Sequence, residues 1–237
     1  MSFYFCNKSA LKNTALWAVP IAFVVGAALS WGAEAASPVG PRSVVERATT
    51  NILALVREAP NYFDEDPDRY INAVGAELDQ VVDFRGFARG VMGDYASSSR
   101  YRAMTEEQRE RLRDQLNRFT EVLRDGIVST YSRGLLAFGG SRVELGETEV
   151  SPGSTRVASV NQYVSAEDGK TYTVKYQMGQ YKDGTWRLRN MIIENINLGE
   201  IYRGQFEAAA AAAGGDLDVV INTWDDSQIR TKAEEGR

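Results

Sequence analysis

A chain of 237 residues with 27 Lys and Arg against 32 Asp and Glu carries a net charge of −5. That mild acidity excludes the usual basic nucleic-acid binder, so no nucleic-acid partner is expected. The sequence has no histidine, which removes the commonest general base, the commonest metal ligand and every His-based triad.

The first element in chain order reads as an export signal. Lys8 and Lys12 precede an uncharged, mostly apolar run over residues 16–29, and Ala33-Glu34-Ala35 ends the segment in an Ala-x-Ala site. The run is short for a spanning helix, which needs roughly 20 apolar residues, and Pro20 interrupts it. The single cysteine, Cys6, lies before the apolar run, where a lipid-anchor cysteine would not sit. Cleavage after Ala35 leaves about 200 residues, one domain of ordinary size. Without cysteine that domain forms no disulfide, which suits export into a bacterial periplasm. The organisation expected is therefore a signal peptide over 1–35, a single domain over 36–226 and a polar tail over 227–237.

The amino-terminal half of the domain reads as helices. Val44, Val45, Ala48, Ile52, Leu55 and Val56 recur at helical spacing before Pro60. Asp66-Pro67 pairs an N-cap with proline at the first helical position, and Tyr70, Ile71, Val74, Leu78 and Val81 form the stripe that follows. A short helix is expected over 84–92. Thr105 to Gln108 is a capping box that opens the longest helix, with Leu112, Leu116, Phe119, Leu123 and Ile127 on one face and Arg109, Arg111, Arg113, Arg118 and Arg124 on a solvated flank. Gly126 and Gly134 inside it allow close packing or mark a bend, and Phe138-Gly139-Gly140 ends it. Four strands follow, over 142–150, 156–164, 171–178 and 185–193, joined by turn sequences that include Asp168-Gly169 and Asp183-Gly184. Short turns imply an antiparallel meander. Helix resumes over 198–213, stops at Gly214-Gly215, and restarts behind an Asp216 cap. Helices, then strands, then helices give an α+β class.

Little in the chain nominates an active site. Glu65-Asp66 and Asp225-Asp226 sit where capping and solvation explain them, no glycine-rich phosphate loop follows a strand, and no serine occupies a nucleophile elbow. The sequence reads as a protein without catalytic residues, metal ligands or cofactor. Its distinctive pattern is in the strands. Tyr172, Val174, Tyr176 and Met178 alternate with polar residues, and Trp186 and Leu188 continue the bulky face. An ordinary core and a ligand cavity want the same residues here, and periodicity does not separate them.

Several short motifs, in order, carry a resemblance. Val82-Asp83-Phe84, Phe87-Ala88 and Val91-Met92-Gly93 are followed by Thr105 to Gln108 with Phe119, by Thr130-Tyr131 with Leu135-Leu136 and Val143-Glu144, by Asp183 to Trp186, and by Tyr202 to Phe206. Together they resemble the MlaC family of periplasmic phospholipid carriers, also called toluene-tolerance auxiliary proteins, from about Arg42 to Trp224. Three places depart from that pattern: Ala96 stands where members often have tryptophan, residues 97–102 look like a small insertion, and Ile201 replaces an asparagine. The resemblance implies a fold like nuclear transport factor 2, with helices packed on one face of an antiparallel four- or five-stranded sheet enclosing a lipid cavity. It implies a phospholipid ligand held by Phe119, Leu123, Ile127, Tyr131 and Leu135 from the long helix and by Tyr172, Val174, Tyr176, Met178, Trp186 and Leu188 from the sheet. The partners it implies are an outer-membrane lipoprotein–porin complex and an inner-membrane ABC transporter with its lipid-binding subunit. The function implied is shuttling of phospholipid between the membranes, which maintains outer-membrane lipid asymmetry. A hopanoid or other polycyclic lipid is the alternative cargo, and an enzyme on the same fold the alternative class. Asp83 reads as a helix cap, Arg203 as the partner of a carboxylate, and Tyr131 and Tyr202 as core hydrogen-bonding groups.

The export reading makes a direct prediction. The intact mass of the protein recovered from the periplasm should correspond to a chain beginning at Ala36; a membrane-bound product retaining residues 1–35 overturns it.

Overall fold

The computed structural model describes residues 39–136, 141–166 and 169–224. The expected signal peptide, the Phe138-Gly139-Gly140 break and the polar tail lie outside the described residues. Helices α1 (Pro41–Glu58), α2 (Pro67–Val81), α3 (Phe84–Val91), α4 (Ser98–Ala103) and α5 (Glu106–Leu136) precede five strands, β1 (Arg142–Val150), β2 (Val157–Ser165), β3 (Thr171–Gln180), β4 (Trp186–Ile193) and β5 (Ile196–Asn197). Helices α6 (Leu198–Ala212) and α7 (Leu217–Asn222) follow. Among the described residues, no helix is long and apolar enough to cross a membrane.

Local chemistry sets most helix starts. Asp66 accepts from the Arg69 amide at 3.1 Å with Pro67 at the first helical position of α2. Thr105 and Gln108 satisfy each other's amides at 3.3 and 2.9 Å, the reciprocal pair of a capping box at the start of α5. Asp83 caps α3 through the Gly86 amide at 2.8 Å, and Asp216 caps α7. Helix α4 was not expected. It occupies the segment that reads as an insertion, and Ser97 caps it by accepting from the Arg100 amide. Helix α5 runs unbroken through Gly126 and Gly134 for 31 residues, roughly 46 Å at 1.5 Å per residue. A side chain at Gly134 would meet open space, so close packing does not explain that glycine. Gly75 of α2 is different: an added Cβ would lie 2.7 Å from the Arg124 guanidinium and 3.2 Å from Val128, so α2 reaches α5 this closely only without a side chain there.

The sheet is an antiparallel meander in the order β1-β2-β3-β4-β5. Register places Ala158, Val160 and Gln162 opposite Met178, Tyr176 and Val174, which in turn face Leu188, Met191 and Ile193. Cross-strand partners share a face, so these residues form one surface, and the helices cover it. Strand β5 is the fifth strand that the resemblance allows, although no run of residues marks it in the sequence. It follows a tight turn in which Glu194 takes a positive φ of 55° and pairs its own amide with the Thr173 carbonyl at 2.8 Å. Asn197 then ends the strand and caps α6 at the Glu200 amide.

Among the described residues, three apolar clusters fill the interior. The largest joins α3, α5, α6 and α7 through Met92, Leu116, Phe119, Leu123, Tyr202 and Phe206. Phe119 lies 4.9 Å from Phe206 and 5.1 Å, edge-on, from Trp224. The second joins α1 and α2 to the sheet through Val44, Val45, Val81, Val160 and Met178. The third lies among α1, α2 and the end of α5, around Val56, Tyr70 and Val74. Helix α7 is fastened to α5 by Asp218, which takes Arg111 at 2.6 Å, Gln115 at 3.0 Å and Arg118.

Two buried tyrosines differ in a measurable way. Tyr176 donates to Gln162 at 2.8 Å, and Gln162 donates to Thr49 of α1 at 2.8 Å. The hydroxyl of Tyr70 is buried with no hydrogen-bond partner among the described residues, and burial, with Tyr62 nearby, pushes its phenol up to about 12. Removing a hydroxyl from a made hydrogen bond strands its partner and costs about 1–3 kcal/mol, whereas removing an unpartnered one is near neutral or stabilising. Chemical denaturation should therefore find Tyr176→Phe destabilised by that amount and Tyr70→Phe unchanged or more stable; the opposite ranking overturns the assignment.

Asp218 makes the second prediction. Hydrogen bonds from Arg111 first, then Arg118, hold its carboxyl down to about 2 from an ordinary 3.8. A lowered folded-state value gives stability that is present above about pH 4 and is lost as pH falls toward 2. Melting temperature should fall over that window in the native sequence, and Asp218→Asn should flatten this part of the profile; an unchanged profile refutes the link.

Candidate functional site

The residues expected to hold a ligand are divided by the fold. Phe119 and Leu123 are fully buried in the α3–α5–α6 cluster, with Ile127 and Tyr131 packed against it. Leu135 packs instead against the α1–α2 cluster around Tyr70. Met178, Tyr176, Trp186 and Leu188 belong to the cluster under α1. Val174 is buried on β3 between the two groups, and Tyr172 is half-buried beyond it. The helix and sheet positions therefore share the covered face of the sheet and fall into different apolar clusters of it. Burial raises the Tyr176 phenol well above its ordinary range, so it remains a protonated donor to Gln162.

A concavity lies at the amino-terminal end of α5. It is a cleft of about 740 Å³, within the range of ordinary ligand pockets. Leu112 and Leu116 of α5 form its apolar base, with Ala96 and the Tyr101 and Tyr181 rings beside them. Five arginines surround that base: Arg85 and Arg89 on α3, Arg102 on α4, Arg113 on α5 and Arg189 on β4. A smaller depression of about 400 Å³ shares Arg89, Ala96 and Ser98 with it and extends to Arg203 and Glu207.

Each wall has a local cause. Strand β4 slips register where Gln177 pairs with Asn190 and Met178 with Leu188, leaving Arg189 as the extra residue of a bulge. The bulge aims Arg189 along the backbone of Gly179, where any Cβ would collide with it, toward the Asp83 carboxylate at 3.5 Å and the Tyr181 ring at 5.5 Å. Asp83 is itself held by β4, since its amide donates to the Leu188 carbonyl at 2.8 Å. Helix α4 is clamped onto α5 by Arg109, which donates to the carbonyls of Tyr101 and Arg102, and by Arg113, which reaches the Tyr101 hydroxyl at 2.6 Å and Glu106 at 2.8 Å. Arg113 is also the leading cause that lowers the Glu106 carboxyl.

The cleft went unread in the sequence. Asp83 caps α3 as expected, but it also pairs with Arg189, a long-range contact that spacing does not reveal. Arg203 donates to the Gly90 carbonyl at 3.0 Å where a carboxylate partner was expected. The flanking arginines of α5 read as solvated, yet Arg111 and Arg118 hold α7, Arg124 forks onto Asp79 at 2.8 and 3.0 Å, and Arg113 joins the cleft. The signal available was Arg85 and Arg89, four residues apart and hence on one face of α3. No group of three or more Cys, Asp or Glu side chains that could hold a metal ion occurs among the described residues.

Comparison with known proteins places the chain. The toluene tolerance protein Ttg2D of Pseudomonas putida is 27% identical over 184 residues, which span 78% of this chain and 79% of that protein. A phospholipid-binding protein from Ralstonia solanacearum, solved in complex with a phospholipid, superposes with a TM-score of 0.62 at 16% identity, covering 77% of this chain and 93% of that one. The family model described as MlaC protein matches residues 46–226. With a match over most of its length, the chain belongs to the MlaC family.

Proposed function

We propose that this protein is a periplasmic phospholipid carrier that moves lipid between the outer and inner membranes and so maintains outer-membrane lipid asymmetry. Family membership supports lipid transport, and the fold is shared with a protein that holds a phospholipid. The observation in this chain that carries the reading is the unbroken apolar stripe of α5. Leu112 and Leu116 at the base of the open cleft continue at helical spacing into Phe119, Leu123, Ile127 and Tyr131. A lipid could enter where the stripe meets solvent and follow it inward, over the sheet positions Tyr172, Val174, Tyr176, Met178, Trp186 and Leu188.

The physics of transfer requires such a shield. Each CH₂ exposed to water costs about 0.8 kcal/mol, so two acyl chains sum to roughly 20 kcal/mol or more. Covering them needs apolar surface and no catalytic group. Loading and delivery would involve an outer-membrane lipoprotein–porin complex and an inner-membrane ABC transporter with its lipid-binding subunit.

The carrier should depend on its cargo. A rigid void of about 1,000 Å³ would cost roughly 24 kcal/mol, more than the 5–15 kcal/mol that typically holds a domain together. The helices must therefore settle onto the sheet when lipid leaves, and lipid binding must compensate for reopening. Ligand at a hundredfold excess over Kd stabilises by about 2.7 kcal/mol, or about 5–10 °C for a domain of this size. Protein purified without detergent should show a phospholipid adduct by native mass spectrometry, and stripped protein should melt lower by that amount and recover when lipid is restored. Leu123→Trp and Val174→Trp should reduce the adduct while the protein remains folded. A polycyclic lipid mass overturns the phospholipid assignment. No lipid adduct, with equal melting temperatures before and after lipid is added, overturns the carrier reading.

A further inference from the structure

Three cations in the cleft lack counter-charges among the described residues. Arg113 is paired with Glu106 and Arg189 with Asp83. Arg85 is hydrogen-bonded to the neutral amide of Asn117. Arg89 and Arg102 have no carboxylate within ion-pair distance among the described residues. All three are exposed and line the same cavity of about 740 Å³. Like charges gathered on a concave wall repel one another, and solvation alone gives no reason to collect them there. The concentration is more unusual because the whole chain is net negative, at −5.

Beneath this wall the chemistry changes. Leu112 and Leu116 are only 6 and 7% exposed and belong to the apolar interior. A free inorganic anion gains nothing from that base, and an uncharged apolar ligand gains nothing from the guanidiniums. The ligand that uses both is an amphiphile with an anionic head. Guanidinium matches the geometry of phosphate, which it can engage through two parallel hydrogen bonds.

We propose that the cleft is a phosphate-recognising site which makes the protein selective for lipids of net negative headgroup charge over zwitterionic ones. Arg85, Arg89 and Arg102 hold the headgroup, and Leu112 and Leu116 receive the first part of the chains. The proposal deepens the lipid-carrier reading and rests on it.

The test is calorimetric titration of the stripped mature protein with three probes: dihexanoyl phosphatidylglycerol, dihexanoyl phosphatidylcholine and inorganic phosphate. The lipids are kept below their micellar concentrations. At low ionic strength the glycerol lipid should bind at least about tenfold tighter than the choline lipid, as charge-assisted contacts imply, and the gap should narrow with added salt. The triple variant Arg85→Gln/Arg89→Gln/Arg102→Gln should bind the two lipids equally, with the glycerol-lipid affinity falling further than that of the choline lipid and the melting temperature unchanged, because the three side chains are exposed and make no ion pairs among the described residues. Equal affinities in the native sequence, or a preference that survives in the triple variant, overturn the proposal and leave the carrier reading standing. Failure of both lipids to bind overturns the carrier reading itself. Inorganic phosphate binding as tightly as the glycerol lipid identifies a free-phosphate site and overturns the lipid assignment. A hexaglutamate peptide that displaces the glycerol lipid at equal concentration makes the cleft a protein-docking face and overturns it as well.

Discussion

The carboxylate of Asp83, only 8% exposed, sits where the helical layer meets the sheet. Burying a carboxylate is costly unless its oxygens are satisfied, and three contacts dock this residue. Its side chain takes the Gly86 amide and the Arg189 guanidinium, while its own amide donates to Leu188 on β4. The neighbouring Val82 pairs with Leu188 as an isolated parallel bridge, so the corner between α2 and α3 behaves as a short extra rung on an otherwise antiparallel sheet. From this corner α3 runs out over α5 and α6, and Arg85 and Arg89 point into the cleft. The residues that form the most recognisable sequence motif therefore serve as a hinge pin between layers, and the cleft wall depends on the pin.

What was legible in the sequence follows from the range of the interactions. Caps are local: Asp66, Asp83, Asp216 and the Thr105–Gln108 pair act within three residues, and all four appear where they read. Hairpin register is nearly as local, so the four long strands emerge close to their expected bounds. Strand β5 has two residues, too few for an alternation to register, and it exists because Glu194 accepts a left-handed conformation in the turn before it. Helix α4 has six residues and no apolar stripe of its own; the clamps from Arg109 and Arg113, set by α5, fasten it.

The ligand residues expose a sharper limit. Phe119 and Met178 read alike, as bulky residues on buried faces, yet Phe119 packs with Phe206 and Trp224 while Met178 packs with Val44 and Val45. Period alone tells which face of an element is apolar, not which partner covers it. The charged wall is invisible for a related reason. An arginine on a solvated helix face and one at a cleft rim look the same until the opposing element is known, and the elements opposing Arg85 and Arg89 are α4, which lacks a sequence signature, and a bulge on β4.

The two halves of the molecule obey different requirements on charge. The outer edge of the sheet, β1, carries Glu144, Glu147 and Glu149, a register break near Gly146, and Arg42 from α1 on the carbonyls of Leu145 and Gly146. Charges and bulges on an edge strand hinder pairing with another chain. At the cleft the charge has the opposite sign and lies beside apolar surface. An apolar opening in an acidic protein would repel an anionic headgroup at the moment its chains become exposed. Among the described residues, arginines without carboxylate partners gather at that opening while carboxylates line the β1 edge, so one net-negative chain carries a locally positive cleft.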